Sequence, residues 1–171
     1  MRNIKAILEY DGTNYKGFQV QRQVLTVQMV LEQALEKLTR EKIKIIGAGR
    51  TDAGVHALGQ TINFITDSTI PTERFALALN SCLPRDIRVL TAVQVPHSFH
   101  ARYSAVWKRY RYLIRCGTSG GVFWRNYALI LSDPVDVALM QEAAAYLVGT
   151  HDFRCFCAGG GEAKTSVRTI T

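Results

Sequence analysis

The sequence predicts an α+β fold of the split βαβ, ferredoxin-like kind, a plan shared with RRM-like sheets. Two observations predict it. Hydrophobic periodicity over the first 98 residues changes in the order strand, helix, strand, strand, helix, strand. The pattern then begins to recur in residues 99–171, which reads as a second module of the same kind, incomplete in this chain.

Taken in order, Ile4, Ala6, Leu8 and Tyr10 alternate with more polar neighbours and read as a strand. Asp11-Gly12-Thr13-Asn14 is a turn, and Tyr15 to Gln23 is polar and without a period, an ordered loop. Thr26 is placed to cap a helix whose stripe is Val27, Val30, Leu31, Ala34, Leu35 and Leu38. Ile43 to Ile46 reads as a short strand, and Gln60 to Thr66 as a third, with Ile62 and Phe64 on one face. Thr72 is placed to cap a second helix bearing Phe75, Ala76 and Leu79. Ile87, Val89, Val93 and Val95 form a fourth strand that stops at Pro96.

In the second module, Ser104 to Cys116 alternates as a long strand and Gly117 to Gly121 is a turn. Pro134 to Val148 is helical, with Val137, Met140, Ala144, Leu147 and Val148 apolar and Ser132 or Asp133 as cap. Thr165 to Thr171 begins a further strand. A sheet stopped there leaves bare edges, so the chain is expected to be a fragment or to rely on something absent. The expected domains are 1–98, with the Gly-rich loop, and 99–171.

Composition narrows the class. Of 171 residues 47% are hydrophobic and 20% charged, which supplies a sizeable core and excludes a disordered tail. No apolar run approaches the roughly 18–20 residues of a membrane helix, and Met1 to Lys5 leads into the first strand with no signal sequence. Net charge is +7, permissive for nucleic acid. Cys82, Cys116, Cys155 and Cys157 have no zinc-ribbon spacing and read as free thiols of a reducing, cytoplasmic compartment.

Gly47-Ala48-Gly49-Arg50-Thr51-Asp52-Ala53-Gly54-Val55-His56 is the most informative stretch. It is neither a dinucleotide fingerprint, since no helix follows, nor a P-loop, since Gly-Lys-Ser/Thr is absent. The bend would hold Asp52 at a strand end, where Arg50 can reach its carboxylate and keep it ionised, as a nucleophile or electrostatic group requires. The plainer alternative is an Asp capping its own turn beside a surface Arg. His56 either meets a substrate or caps the loop, capping being the plainer role.

From Arg102 to Arg115 there are five basic residues and no acid. As a strand, this stretch would put Lys108, Tyr110, Tyr112 and Ile114 on one face and Trp107, Arg109, Arg111 and Arg115 on the other. The tyrosines are then either core aromatics or a platform that stacks a base, with the arginines on phosphates. His97 and His100 have no metal-ligand spacing, and no nucleophile elbow is present. His151-Asp152-Phe153 reads as packing and capping.

Four segments occur in a telling order: Tyr10-Asp11-Gly12-Thr13-x-Tyr15-x-Gly17-Phe18-Gln19, Gly49-Arg50-Thr51-Asp52-Ala53-Gly54-Val55-His56-Ala57, Phe99-His100-Ala101-Arg102 and Lys108-Arg109-Tyr110-Arg111-Tyr112. Together they resemble the TruA-type tRNA pseudouridine synthases, and His151-Asp152-Phe153 and Ser166 to Ile170 resemble the family's later segments. The resemblance implies a homodimeric enzyme of two ferredoxin-like halves in pseudo-twofold contact. It implies conversion of uridines 38, 39 and 40 of the tRNA anticodon arm into pseudouridine without metal or organic cofactor. Onto this sequence it carries Asp52 as catalytic nucleophile, oriented by Arg50, and Tyr110 (Tyr112 as second choice) as the tyrosine against the target base. The substrate-contacting set is completed by His56, Arg102, Arg109, Arg111, Gln19 and Arg22. Phe18 stands where members often have Trp, and a later family segment with an arginine has no counterpart in these 171 residues. A non-catalytic RNA-binding module on the same sheet is the alternative. A hydrolase using Asp52 lacks a partner carboxylate at suitable spacing.

Overall fold

A computed structural model describes residues 1–117, 121–157 and 165–171. The protein is α+β and forms two compact units, Met1–Tyr110 and Arg111–Thr171. No helix among the described residues is long and apolar enough to cross a membrane.

In the first unit the order is β1 (Arg2–Tyr10), α1 (Val27–Thr39), β2 (Ile46–Gly47), β3 (Ala57–Thr66), α2 (Thr72–Asn80) and β4 (Ile87–Val95). The four strands form one sheet in the order β2-β3-β1-β4. Every adjacent pair is antiparallel, an arrangement consistent with the split βαβ plan. Ile4, Ala6, Leu8, Ile62 and Phe64 are buried with Val27, Leu31 and Leu35 of α1 and Phe75 and Leu79 of α2, so both helices cover the same face. Phe64 and Phe75 meet at 5.7 Å between ring centroids. Each such large apolar side chain contributes roughly 1.5–3 kcal/mol by leaving water.

Three expectations for this unit are corrected. Residues 43–45 do not join the sheet, although Ile43 and Ile45 are buried. Side chains of α1 serve this backbone instead: Ile45 N–H donates to Glu32 Oε1 at 3.0 Å, and Gln28 Nε2 donates to the Ile45 carbonyl at 3.2 Å. In β4, Leu8 faces Val89 while Ile7 faces Thr91, which leaves Leu90 as the extra residue of a bulge. Beyond it Ala92 packs on the core and Val93 is exposed, because one inserted residue exchanges the two faces. Thr72 is the first residue of α2 rather than its cap; Pro71 holds that position, and the Thr72 hydroxyl accepts from Arg2 Nη1 at 3.3 Å. Thr26 does cap α1, accepting from Met29 N–H at 3.4 Å.

The second unit holds a parallel pair, β5 (Ile114–Cys116) and β6 (Leu129–Leu131), then α3 (Val137–Ala145), and an antiparallel pair, β7 (Gly149–Asp152) and β8 (Val167–Ile170). Asp136 caps α3 by accepting from Leu139 N–H at 3.0 Å, which displaces the expected cap at 132 or 133 and leaves Pro134 outside the helix. No α3 residue is buried. The expected strand from Ser104 to Cys116 is regular only over its last three residues. Residues 105–113 are exposed and join no strand ladder; the Leu113 carbonyl accepts from Leu129 N–H at 2.7 Å, next to the start of β5. Most of the expected 117–121 turn lies outside the described residues.

Candidate active site

The Gly-rich turn connects β2 to β3. Ala48 N–H donates to the Thr61 carbonyl at 2.8 Å and Gln60 Nε2 to that of Gly49 at 2.5 Å, which carries the sheet's pairing one step past β2. The chain then leaves the sheet, and Val55 N–H closes the turn on the Asp52 carbonyl at 3.2 Å.

A second loop, residues 11–18, lies directly against this turn. Phe18 N–H donates to the Thr51 carbonyl at 3.0 Å and Gly54 N–H to that of Tyr15 at 3.1 Å. The Tyr10 and Thr51 hydroxyls are 2.9 Å apart. Two glycines permit this approach. A Cβ on Gly12 would sit 2.0 Å from the Val55 carbonyl oxygen, and one on Gly17, whose φ is +89°, would sit 2.5 Å from that of Thr51. Burial raises the pKa of Tyr10, and burial followed by the hydrogen bond to Asp86 (2.7 Å) raises that of Tyr15. Both tyrosines are thereby kept as neutral hydroxyls in the scaffold.

His56 is engaged inside this loop pair. Its Nδ1 is 3.1 Å from Gly12 N and 3.0 Å from Asp11 Oδ1. One nitrogen serves these groups only in alternation: unprotonated it accepts from Gly12, protonated it donates to Asp11.

Asp52 is exposed at the tip. It shares an open depression of about 540 Å³ with Arg50, Gln19, Thr51, Ala53, Lys16, Gln21 and Val24. Three expected site residues, Asp52, Arg50 and Gln19, are thus brought together. Lys16 and Gln21 were not expected there; both come from the polar loop after β1, whose fold is fixed by contacts that a sequence period does not report. The loop is closed by Lys16 N–H donating to the Leu25 carbonyl and Gln21 Nε2 to that of Lys16, each at 2.9 Å.

The remaining expected residues do not line the depression. Arg22 is exposed on the polar loop. Arg102 follows Ala101, which is buried on the sheet face away from the helices; there Ala101 N–H donates to Asn63 Oδ1 at 2.8 Å. Asn3 Nδ2 donates to the carbonyls of Pro96 and Phe99 at 3.0 and 2.9 Å, so two buried asparagines moor the segment. Arg102 lies over the Tyr103 ring at 5.9 Å and Arg109 over that of Trp107 at 5.6 Å. Tyr110 is 77% exposed. Arg111 is an exposed residue of the second unit. The two-faced strand expected to carry these groups is absent, so their alternation is not imposed by a sheet. Among the described residues no cluster of three His, Cys, Asp or Glu side chains is placed to hold a metal, and all four cysteines are free thiols.

Comparison with known proteins places the chain in a family. A family described as tRNA pseudouridine synthase matches residues 6–104 and 143–171. The chain is 53% identical over 171 residues to tRNA pseudouridine synthase A of Acetivibrio thermocellus, covering 100% of this chain and 70% of that protein. It is 49% identical over 170 residues to the same-named protein of Thermoanaerobacter sp. (strain X514), covering 99% and 70%. For that of Bacillus pumilus the identity is 50% over 169 residues, covering 98% and 68%. The match takes in both loops that build the depression around Asp52, and the chain belongs to the tRNA pseudouridine synthase family.

Proposed function

We propose that Asp52 is the nucleophile with which this enzyme isomerises uridines 38, 39 and 40 of the tRNA anticodon arm to pseudouridine. That the protein is an isomerase of anticodon-arm uridines rests on its family. The observation that supports Asp52 is its position: an exposed carboxylate at the tip of a turn held by main-chain bonds from a neighbouring loop, in an open depression with Arg50. A fixed backbone sets where the carboxylate stands before substrate arrives, which is the condition for proximity to count.

The reaction breaks the C1′–N1 bond of uridine, rotates the uracil, and joins C1′ to C5. The C5 proton is lost and N1 regains one, so nothing is added overall. Asp52 acts by attacking covalently or by assisting a glycal intermediate. Arg50 orients it and Gln19 meets the nucleotide. The base leaves its stack first, at a cost of a few kcal/mol that is smallest in a loop or at a stem end. Stacking on Tyr110 offsets roughly 1–3 kcal/mol of this. Arg22, Arg102, Arg109 and Arg111 meet the RNA backbone, and His56 stands at the rim. In this reading the working protein is a cytoplasmic homodimer without cofactor. Residues 1–98 are its first ferredoxin-like domain and 99–171 the N-terminal part of a second, incomplete in this chain, in a fold of the pseudo-twofold kind.

The test is multiple-turnover pseudouridine formation in an unmodified tRNA carrying uridines at 38, 39 and 40, beside filter binding of the same RNA. Asp52→Ala and Asp52→Asn are expected to lose at least about 10³-fold in turnover while keeping most of the binding. Wild-type turnover by Asp52→Ala would overturn the assignment. Full tRNA binding by the wild type with no pseudouridine formed would favour the non-catalytic RNA-binding module.

A further inference from the structure

We propose that Lys108 is a substrate-contacting residue whose ammonium, seated on Gly49, holds a backbone phosphate of the RNA beside the uridine under attack; this rests on the reading of the 47–56 turn as the active site. The end of the Lys108 side chain lies along the Gly49 backbone. A Cβ built on Gly49 would be 2.9 Å from Nζ, 3.5 Å from Cε and 4.0 Å from Cδ. Gly49 is not among the glycines with positive φ, so its backbone does not demand glycine. What the missing side chain admits is the ammonium.

The charge seated there is uncompensated. Among the described residues no carboxylate pairs with Lys108, and its side chain is otherwise exposed. Gly49 is next to Arg50, and Arg50 shares the Asp52 depression with Lys16. Besides Arg50 on the turn itself, Lys16 and Lys108 bring two ammonium groups from separate chain segments to one short turn whose exposed carboxylate is Asp52. Such an excess suits an anion, and the anion that RNA presents beside every sugar is a phosphodiester. An ammonium binds phosphate as a point charge, without the fork geometry an arginine imposes, which suits a flexible side chain laid on a fixed backbone.

Gly49 also provides the means of testing position apart from charge. Gly49→Ala displaces only the far end of a flexible side chain, so it moves the ammonium without removing it and without straining the backbone. Binding of an unmodified tRNA transcript is measured over a range of salt for Lys108→Ala, Gly49→Ala, the double variant and Lys108→Arg. Steady-state kcat and KM are measured in parallel, and thermal unfolding confirms that each variant is folded. Lys108→Ala is expected to weaken binding several-fold and to lower the log–log salt slope by about 1. Gly49→Ala is expected to reproduce that loss, the double variant to add nothing further, and Lys108→Arg to restore part of the binding. A wild-type salt slope in Gly49→Ala, or losses that multiply in the double variant, would overturn the proposal. So would a fall in kcat with binding and KM unchanged, since Lys108 would then serve Asp52. Asp52→Ala in the same assays separates the two readings: its turnover tests the active site, whereas the Lys108 comparison is read from binding.

Discussion

The side-chain amide of Asn63 donates to Asn3 Oδ1 at 3.0 Å across two strands of the first unit, with both residues almost fully buried. The pair couples the sheet to the segment that carries Arg102. Asn3 spends its amide on two carbonyls of that segment, and Asn63 its oxygen on Ala101 N–H. Lys5 reinforces the contact, with its ammonium 5.8 Å from the centroid of Phe99.

Asn63→Leu is expected to destabilise the protein, because Asn3 Oδ1 and Ala101 N–H both lose their partner in a buried site. Each orphaned group costs about 1–3 kcal/mol. The urea midpoint should fall, and the Ala101 amide should exchange hydrogen faster relative to amides of β1. An unchanged midpoint would show that the pair adds nothing to stability.

Gly17→Ala combines a side chain in the left-handed region with a clash against the Thr51 carbonyl. Strain of this kind costs of order 1–3 kcal/mol and acts directly on the turn bearing Asp52. The expected result is a lower melting temperature together with a fall in kcat at saturating tRNA. Loss of stability with kcat intact would mean that the two loops are mechanically independent.

Alkaline pH should loosen the first unit. Folding holds the Tyr10 and Tyr15 hydroxyls protonated above their ordinary range. Near pH 10 the unfolded chain therefore releases protons that the folded chain keeps. The stabilisation is fully present below that pH and is lost as pH rises, by up to about 1.4 kcal/mol per pH unit for each tyrosine. Urea unfolding between pH 9 and 11 checks this, and Tyr15→Phe should make the decline shallower.

Arg109→Ala and Arg111→Ala should each weaken tRNA binding more at low salt than at high salt, with the slope reduced by about 1 per phosphate lost. Filter binding at two salt concentrations measures it. A loss independent of salt would instead point to packing, for Arg109 through its contact with Trp107.

The first unit was legible because its signals are local and redundant. Ile4, Ala6 and Leu8 alternate, Val27 to Leu38 repeat at helical spacing, and the Thr26 cap stands where the repeat begins. Misreadings arose where distant residues decide. Glu32 and Gln28 take the pairing that 43–45 would otherwise make in the sheet, and a bulge at Leu90 reverses a phase that alternation alone cannot locate. Residues 104–116 alternate as a strand does, but a strand also needs a neighbour, which periodicity does not report. Asp52, Arg50 and Gln19, singled out by their motifs, share one depression. Lys16 and Gln21 were missed because only the folded path of the polar loop brings them to the same depression.

The bonds between the 11–18 loop and the Asp52 turn run largely through main-chain atoms, Phe18 to Thr51 and Gly54 to Tyr15. The clasp therefore depends little on the side chains that line the depression. Gln19 lines the depression without belonging to the clasp, so exchanging its side chain is expected to leave the carboxylate in place, whereas Gln21 also closes its own loop on the Lys16 carbonyl. The requirement is that Gly12 and Gly17 keep the clasp closed, since a side chain at either would meet the opposing main chain.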